Sequence, residues 1–191
     1  MPASTRELVA ACLAGDADAQ ARFVDRFGPR IFGLCLRMVG HRQDAEDLAQ
    51  ESLVRALRAL DRWDCERDIE PWLLAIAGNR CRTFLAQHKR RPIPARLEDS
   101  VIDPTPPWQP AHLLAEELQR ALAELRDDWR QAFHLYYEQE LGYAEIAEAM
   151  ECPKGTVKTW IHRARQEIIR RLVSRGVVEE PRNESRASVP Q

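Results

Sequence analysis

The sequence lacks the features that mark several classes of protein. No apolar run is long enough for a signal peptide or a bilayer span, and the five cysteines form no CxxC pair. No pair of carboxylates, Cys/His cluster or glycine-rich phosphate loop points to catalysis or metal binding. We therefore expect a cytoplasmic protein with reduced thiols and without membrane insertion, enzymatic activity, metal or cofactor.

Patterns typical of β-strands are also missing. No stretch alternates apolar and polar residues between turn residues, whereas apolar residues recur at helical spacing along much of the chain. The 191 residues are 45% hydrophobic, which is ample for packed cores. The sequence therefore predicts an all-α fold, with room for one domain or two small ones.

The sequence also lacks an excess of positive charge, since its formal net charge is -2. A nucleic-acid-binding protein of this composition must concentrate its basic residues locally. The stretch Arg80–Arg96 holds six basic residues and no acidic one, and Lys154–Arg171 holds six basic residues and one acidic one. These two stretches are the candidate nucleic-acid-binding surfaces.

The second basic stretch belongs to a helix-turn-helix pattern. Tyr143–Met150 predicts a first helix, Pro153 marks the turn, and a basic second helix follows. We expect Val157 and Ile161 to pack on the first helix, with Trp160 at the edge of the core. The N-terminus and opposite face of the second helix carry side chains suited to phosphates and base edges, namely Lys154, Thr156, Lys158, Thr159, His162, Arg163 and Gln166.

The first basic stretch lies at the C-terminal end of a predicted helix, and we expect Pro71 in the first turn of that helix. Aromatic and polar residues accompany the cations, as on surfaces that track phosphates and stack on unpaired bases. An ordinary solvated helix end would give a similar charge pattern. The candidates on this helix and just beyond it are Trp72, Asn79, Arg80, Thr83, His88, Lys89, Arg90 and Arg91.

Nearer the N-terminus, helices are predicted over residues 4–27, with a break at Gly15, and again from Pro29 to Gly40. A further helix, from about residue 44 to residue 60, has one apolar face and one acidic face. Apolar side chains interrupt the acidic face, which favours a partner surface over a purely solvated one. The residues of that candidate surface are Asp44, Asp47, Gln50, Glu51, Val54 and Leu57.

Proline is concentrated in one segment, since six of the twelve prolines fall between Pro92 and Pro110. Proline lacks an N–H and fixes φ, so no continuous helix survives there. We predict a semi-extended linker between two helical domains. The expected divisions are a first domain over 1–95, a linker over 96–111, a second domain over 112–175 and a disordered tail over 176–191.

Two motifs resemble one family of proteins. The sequence Asp44-Ala-Glu-Asp-Leu-Ala-Gln-Glu51, followed by Leu53-Val-Arg-Ala-Leu57, resembles the region 2 helix of bacterial sigma factors. The sequence Pro153-Lys-Gly-Thr-Val-Lys158, with Ile161-His-Arg-Ala-Arg165, resembles their region 4 recognition helix. The order of the motifs, and the Pro-rich linker in place of an intervening domain, resemble the extracytoplasmic-function (ECF) sigma factors from residue 5 to about residue 173.

The resemblance implies a partner for each candidate surface. The face between Asp44 and Leu57 would dock on the β′ clamp helices of core RNA polymerase. The helix from Trp72 to Arg91 would melt the minus-ten promoter element, with Trp63 in a loop that approaches a flipped base, and the second basic helix would read the minus-thirty-five element. The resemblance also implies contact with the polymerase β flap, a linker directed toward the RNA exit path, and an anti-sigma factor as a separate regulator.

A free-standing helix-turn-helix regulator that binds operators as a dimer is the alternative. It requires a dimer interface, and no spare apolar face is evident. It also leaves the acidic helix face and the stretch Arg80–Arg96 without a role. A nucleic-acid-modifying enzyme is a third class, which no catalytic constellation supports.

Overall fold

The computed structural model describes residues 4–88 and 110–179, with side chains from residue 113 onward in the second range. These two ranges contain α-helices, a short 3-10 turn at Leu60–Arg62 and no strand, which confirms the predicted all-α fold. The helices are α1 (Thr5–Leu13), α2 (Ala17–Val39), α3 (Arg42–Arg58), α4 (Ile69–Gln87), α5 (Pro110–Ala123), α6 (Asp127–Tyr137), α7 (Tyr143–Ala149) and α8 (Lys154–Ser174).

Helix α2 runs through the proline at which we expected a new helix to begin, so that prediction was wrong. Pro29 lies inside α2, where a proline costs about 3 kcal/mol or more. The stripe of Phe23, Phe27, Ile31 and Leu34 is buried on one side of the same helix. Each such side chain contributes roughly 1.5–3 kcal/mol on burial, so the packing of an unbroken stripe outweighs the cost of the proline.

Capping residues define the ends of the N-terminal helices. Ser4 caps α1 in a capping box with Glu7: the Ser4 hydroxyl oxygen accepts the Glu7 N–H at 3.2 Å, and Glu7 accepts the Ser4 N–H at 2.8 Å. Gly40 ends α2 in a left-handed conformation, with φ of 72°. Asp68 caps α4 and leaves Pro71 in the first turn, as the sequence predicted.

Helix α8 is held by two apolar clusters along its length. Val157 and Ile161, in its first half, share a cluster with Ile146 of α7 and Leu135 of α6. Trp160 is half-buried and packs at the edge of this cluster, as expected. The second half packs against α5 in a smaller cluster made of Ala121, Leu122, Leu125, Ala164, Ile168 and Leu172.

The chain just beyond α8 is packed rather than solvated. Val177 and Val178 are half-buried against the α5–α8 cluster, although they fall at the start of the stretch expected to be a disordered tail. The rest of that tail, and nearly all of the proline-rich segment, lie outside the described residues.

Helices α1–α4 and helices α5–α8 lie against each other. Helix α4 contacts α6 and α7, and α2 contacts α6. The buried side chains of α1–α4 are continuous with those of α6, α7 and the first half of α8, so one apolar cluster extends across both halves of the chain. This arrangement places the candidate surfaces of α3, α4 and α8 on a single compact body.

Candidate nucleic-acid and partner interfaces

The rotation of α8 about its axis is fixed by its buried residues, and this rotation exposes the predicted nucleic-acid face. Val157, Ile161 and Ala164 are buried. Most polar residues on the opposite side of this amphipathic helix face solvent. The exposed candidates are Lys154, Lys158, Thr159, His162, Arg163 and Gln166, while Thr156 is half-buried.

The N-terminus of α8 is open to an approaching anion. Pro153 precedes the helix, and no side chain caps it, so the backbone N–H groups of Lys154 and Gly155 remain available. A Cβ placed on Gly155 would meet no atom within 4 Å, which leaves free space beside these groups. The hydroxyl of Thr159 donates to the Gly155 carbonyl at 2.9 Å and keeps its acceptor capacity.

Aromatic rings position two of the cations on this face. The Lys158 ammonium lies 5.7 Å from the centre of the Tyr143 ring, and the Arg163 guanidinium lies 5.9 Å from the Trp129 ring. These two rings are candidate site residues that the sequence analysis missed. Their signal is weak in sequence because Tyr143 and Trp129 lie outside α8 and become neighbours of the cations only in the folded chain.

Arg170, further along α8, is neutralised within the protein. Its guanidinium donates to both carboxylate oxygens of Glu167, at 2.9 and 2.6 Å. The hydrogen bond from Arg170, followed by the charges of Arg171 and Arg170, lowers the pKa of the Glu167 carboxyl below its usual value. The accessible cationic face therefore lies on the N-terminal half of the helix.

Helix α4 carries Trp72, Asn79 and Thr83 on one face, while Arg80 lies beside that face and His88 caps the C-terminal end. Trp72, Asn79 and Arg80 are half-buried, and Thr83 and His88 are exposed. The Thr83 hydroxyl donates to the Asn79 carbonyl at 2.9 Å. The His88 ring stacks on Phe84 with centroids 4.1 Å apart. The predicted residues Lys89, Arg90 and Arg91 lie outside the described ranges.

A cleft of about 630 Å³ brings Trp63 together with the residues of α4. Trp63 follows the 3-10 turn and lines this cleft with Trp72 and Asn79 of α4. The Trp63 indole N–H is buried and has no hydrogen-bond partner. The opposite wall is formed by α7, with Glu145 and Glu148.

Helix α3 presents an acidic face with an apolar centre. Asp47, Gln50, Glu51 and Val54 are exposed, and 46% of Val54 is accessible to solvent. The sequence predicted that Asp44 and Leu57 also belong to this face, but both are only half-exposed. Leu57 is half-exposed because it packs against the main apolar cluster.

One ion pair connects two candidate surfaces. Glu51 of α3 accepts a hydrogen bond from Arg80 of α4. The candidate partner surface and the candidate nucleic-acid surface of the N-terminal half are thus neighbours on two packed helices.

Within 4–88 and 110–179, no group of three or more His, Cys, Asp or Glu side chains could hold a metal ion. None of the helices in these ranges is long and apolar enough to cross a membrane.

Family models match both halves of the chain. The Sigma-70 region 2 model matches residues 23–91, which include α3 and α4. The Sigma-70 region 4 model matches residues 115–168, which include the helix-turn-helix. The two matches fall on the two halves that carried the sequence resemblance.

Similar proteins cover most of the chain. ECF RNA polymerase sigma factor SigW of Bacillus subtilis is 34% identical over 172 residues, covering 83% of this chain and 91% of SigW. RNA polymerase sigma-H factor of Pseudomonas aeruginosa is 30% identical over 181 residues, covering 87% of this chain and 93% of that protein. The ECF RNA polymerase sigma-E factor of Escherichia coli is 34% identical over 166 residues, covering 81% of this chain and 86% of that protein.

Solved structures share the fold. CnrH, solved with the cytosolic domain of CnrY, superposes with a TM-score of 0.66 at 22% identity, covering 88% of this chain and 97% of CnrH. The sigma factor RpoE of Bartonella quintana, solved with the anti-sigma factor NepR, has a TM-score of 0.60 at 23% identity, covering 80% of this chain and 95% of RpoE. Taken with the family models and the similar sequences, the chain belongs to the ECF RNA polymerase sigma factors, non-enzymatic proteins that direct transcription initiation.

Proposed function

We propose that this sigma factor uses three separate surfaces during initiation. The acidic face of α3 docks on the β′ clamp helices of core RNA polymerase. The face of α4, with Trp63, melts and holds the minus-ten element, and α8 reads the minus-thirty-five element while its domain contacts the β flap. The exposure of nearly every candidate side chain on α8, opposite its buried residues, is the observation that carries the proposal.

The chemistry of each surface supports its assignment. On α8, Lys and Arg can donate to phosphates or to guanine O6 and N7, and Thr159 can contact base edges. At α4, Trp72 and Asn79, together with Trp63 of the preceding loop, suit bases that have left the duplex. On α3, exposed Val54 among carboxylates suits a basic partner surface with an apolar contact at its centre.

The regulation and location of the protein follow from the same proposal. We assign it to the cytoplasm, where core polymerase and promoters are found. We also assign it an anti-sigma factor as a separate partner, as RpoE of Bartonella quintana was solved with one. The linker between the two domains, residues 96–111, passes toward the RNA exit path.

Transcription in vitro from promoters selected with the reconstituted holoenzyme tests the proposal. Asp47→Lys should weaken binding to core polymerase by about five- to tenfold and reduce promoter-specific transcripts accordingly, because it places a cation in an acidic docking face. Asp25→Lys makes the same charge change on exposed α2 and serves as the control. Equal core binding by both variants would refute the α3 assignment, and a lack of promoter-specific transcripts from the wild-type protein would refute the proposal as a whole.

A further inference from the structure

The turn between α5 and α6 carries an arginine that lies outside the helix-turn-helix. Arg126 is the residue before α6, and 66% of its side chain is accessible to solvent. It belongs to neither of the two basic stretches, and the acidic residues Asp127 and Asp128 follow it directly. Sequence patterns therefore gave it no role, and only the folded chain shows which surface it joins.

One tryptophan connects Arg126 to the candidate face of α8. The Arg126 guanidinium carbon lies 5.4 Å from the centre of the Trp129 ring, and that of Arg163 lies 5.9 Å from a ring centre in Trp129. The two guanidinium carbons are therefore at most about 11 Å apart. Phosphates of one DNA strand follow each other about every 3.4 Å along the helix axis, so this span covers about three of them.

The tryptophan ring is fixed by the apolar cluster that holds the second half of α8. Trp129 is half-buried and packs against the cluster that contains Ala164 and Ile168. Because both guanidinium groups lie against this one ring, their separation is set within the α5–α8 half of the chain. The placement of the N-terminal half does not enter into it.

Packing alone does not account for an indole at this position. The Trp129 ring N–H is buried and has no hydrogen-bond partner. A buried donor without a partner destabilises the folded chain, and an aliphatic side chain would pack in the cluster without bringing one. What the indole adds is an aromatic face that attracts and orients guanidinium groups.

The carboxylates next to Arg126 are engaged by other arginines. Asp127 accepts a hydrogen bond from buried Arg130 at 2.9 Å. A carboxylate oxygen of Asp128 lies 3.4 Å from a guanidinium nitrogen of Arg82. Arg126 forms an ion pair with Asp128 at 3.7 Å, which is too long for a hydrogen bond. The donors of Arg126 therefore remain available to an incoming anion.

We propose that Arg126 is a DNA-backbone contact, which extends the interface of α8 onto the turn between α5 and α6. Its guanidinium donates to a phosphate that flanks the minus-thirty-five element, and Trp129 is the positioning residue that sets its distance from Arg163. Such a contact fixes the register of α8 on the duplex and carries no base preference. The proposal rests on the assignment of α8 to the minus-thirty-five element.

The first experiment measures how holoenzyme, reconstituted from the full chain and core polymerase, binds upstream duplexes in fluorescence anisotropy. Arg126→Ala should weaken binding about three- to fivefold, equally for selected and scrambled sequences, and should reduce the salt dependence by about one unit of slope. Arg170→Ala removes the same charge from a residue that Glu167 already engages, and it should leave binding unchanged. Wild-type affinity and salt dependence in Arg126→Ala would overturn the proposal.

Uncharged phosphates locate the contact on the DNA. In a series of selected duplexes, one backbone phosphate beside the element is replaced at a time by a methylphosphonate, which removes its negative charge. One of these replacements should weaken binding of the wild type about three- to fivefold and leave binding of Arg126→Ala unchanged. If every replacement affects the two proteins to the same degree, Arg126 contacts no phosphate there and the proposal is wrong.

The positioning role of the tryptophan is tested by a double-mutant cycle. Trp129→Leu keeps an apolar side chain in the α5–α8 cluster and removes the ring, so adding Arg126→Ala to it should cause little further loss of affinity. Trp129→Phe keeps an aromatic face and should bind more tightly than Trp129→Leu. Fully additive losses, with Phe no better than Leu, would overturn the positioning role. Wild-type holoenzyme that binds no selected duplex would overturn the proposed function instead.

Discussion

The substitution Arg163→Ala gives the sharpest test of how α8 recognises DNA. Arg163 is exposed next to the buried Ala164, and no carboxylate within residues 4–88 or 110–179 forms an ion pair with it. The Trp129 ring, 5.9 Å away, holds the guanidinium without satisfying its hydrogen-bond donors. The side chain is thus positioned before DNA arrives, and its donors remain available for a base or a phosphate.

The expected magnitude follows from the contact that is lost. A bidentate contact to guanine contributes about 1–3 kcal/mol, so Arg163→Ala should weaken binding of the holoenzyme to its upstream element by about 5- to 150-fold. Arg163→Lys keeps the charge and loses the planar fork, so it should recover only the phosphate part of the affinity. Arg170→Ala is the matched control on the same helix, because Glu167 already engages Arg170.

Fluorescence anisotropy with upstream duplexes of selected and scrambled sequence separates the possibilities. A base contact predicts that Arg163→Ala loses affinity for the selected duplex alone. A phosphate contact predicts an equal loss for both duplexes and a salt dependence reduced by about one unit of slope. If Arg163→Ala and Arg170→Ala bind both duplexes as the wild type does, then Arg163 makes no contact and the reasoning from its exposure is wrong.

Two further predictions concern the stability and the thiols of the protein. Pro29→Ala should raise the free energy of unfolding by about 1–2 kcal/mol in chemical denaturation, because it restores a helical hydrogen bond inside α2 at an exposed position; a lower stability would contradict this account. Cys65 is exposed and should react first with a thiol reagent, whereas Cys35 should react only on unfolding. A hydrogen bond with Cys81, followed by burial, raises the pKa of the Cys35 thiol, so mass spectrometry that finds Cys35 modified in folded protein would contradict the prediction.

Local patterns predicted the helix-turn-helix because its signals lie within a few residues of one another. Pro153, Val157 and Ile161 set the turn and the buried side of α8 through sequence spacing alone, and the structure follows them. Pro29 could not be interpreted in the same way. Its local preference for a helix start is opposed by apolar residues on both sides, and only the packed core decides between these two effects.

Sequence patterns did not predict the positions of residues whose contacts come from distant parts of the chain. Leu57 was placed on the outer face of α3 by its angular position, but it lies close enough to the edge to pack on the main cluster. The ion pair of Arg37 with Glu138 and the buried Gln131 arise from the contact between the two halves of the chain. Neither α2 nor α6 contains a periodicity that indicates which face will meet the other.

The two apolar clusters that hold α8 use different residues from its exposed candidate face. Val157 and Ile161 secure its first half, Ile168 secures its second half, and none of them lies among the exposed candidates. If α8 reads the minus-thirty-five element as proposed, substitutions on its exposed side should change promoter preference while the fold stays intact. On the same proposal, one fold can support many promoter specificities. Changes confined to the exposed face of α8 are then a route to engineered sigma factors that each recognise a different promoter.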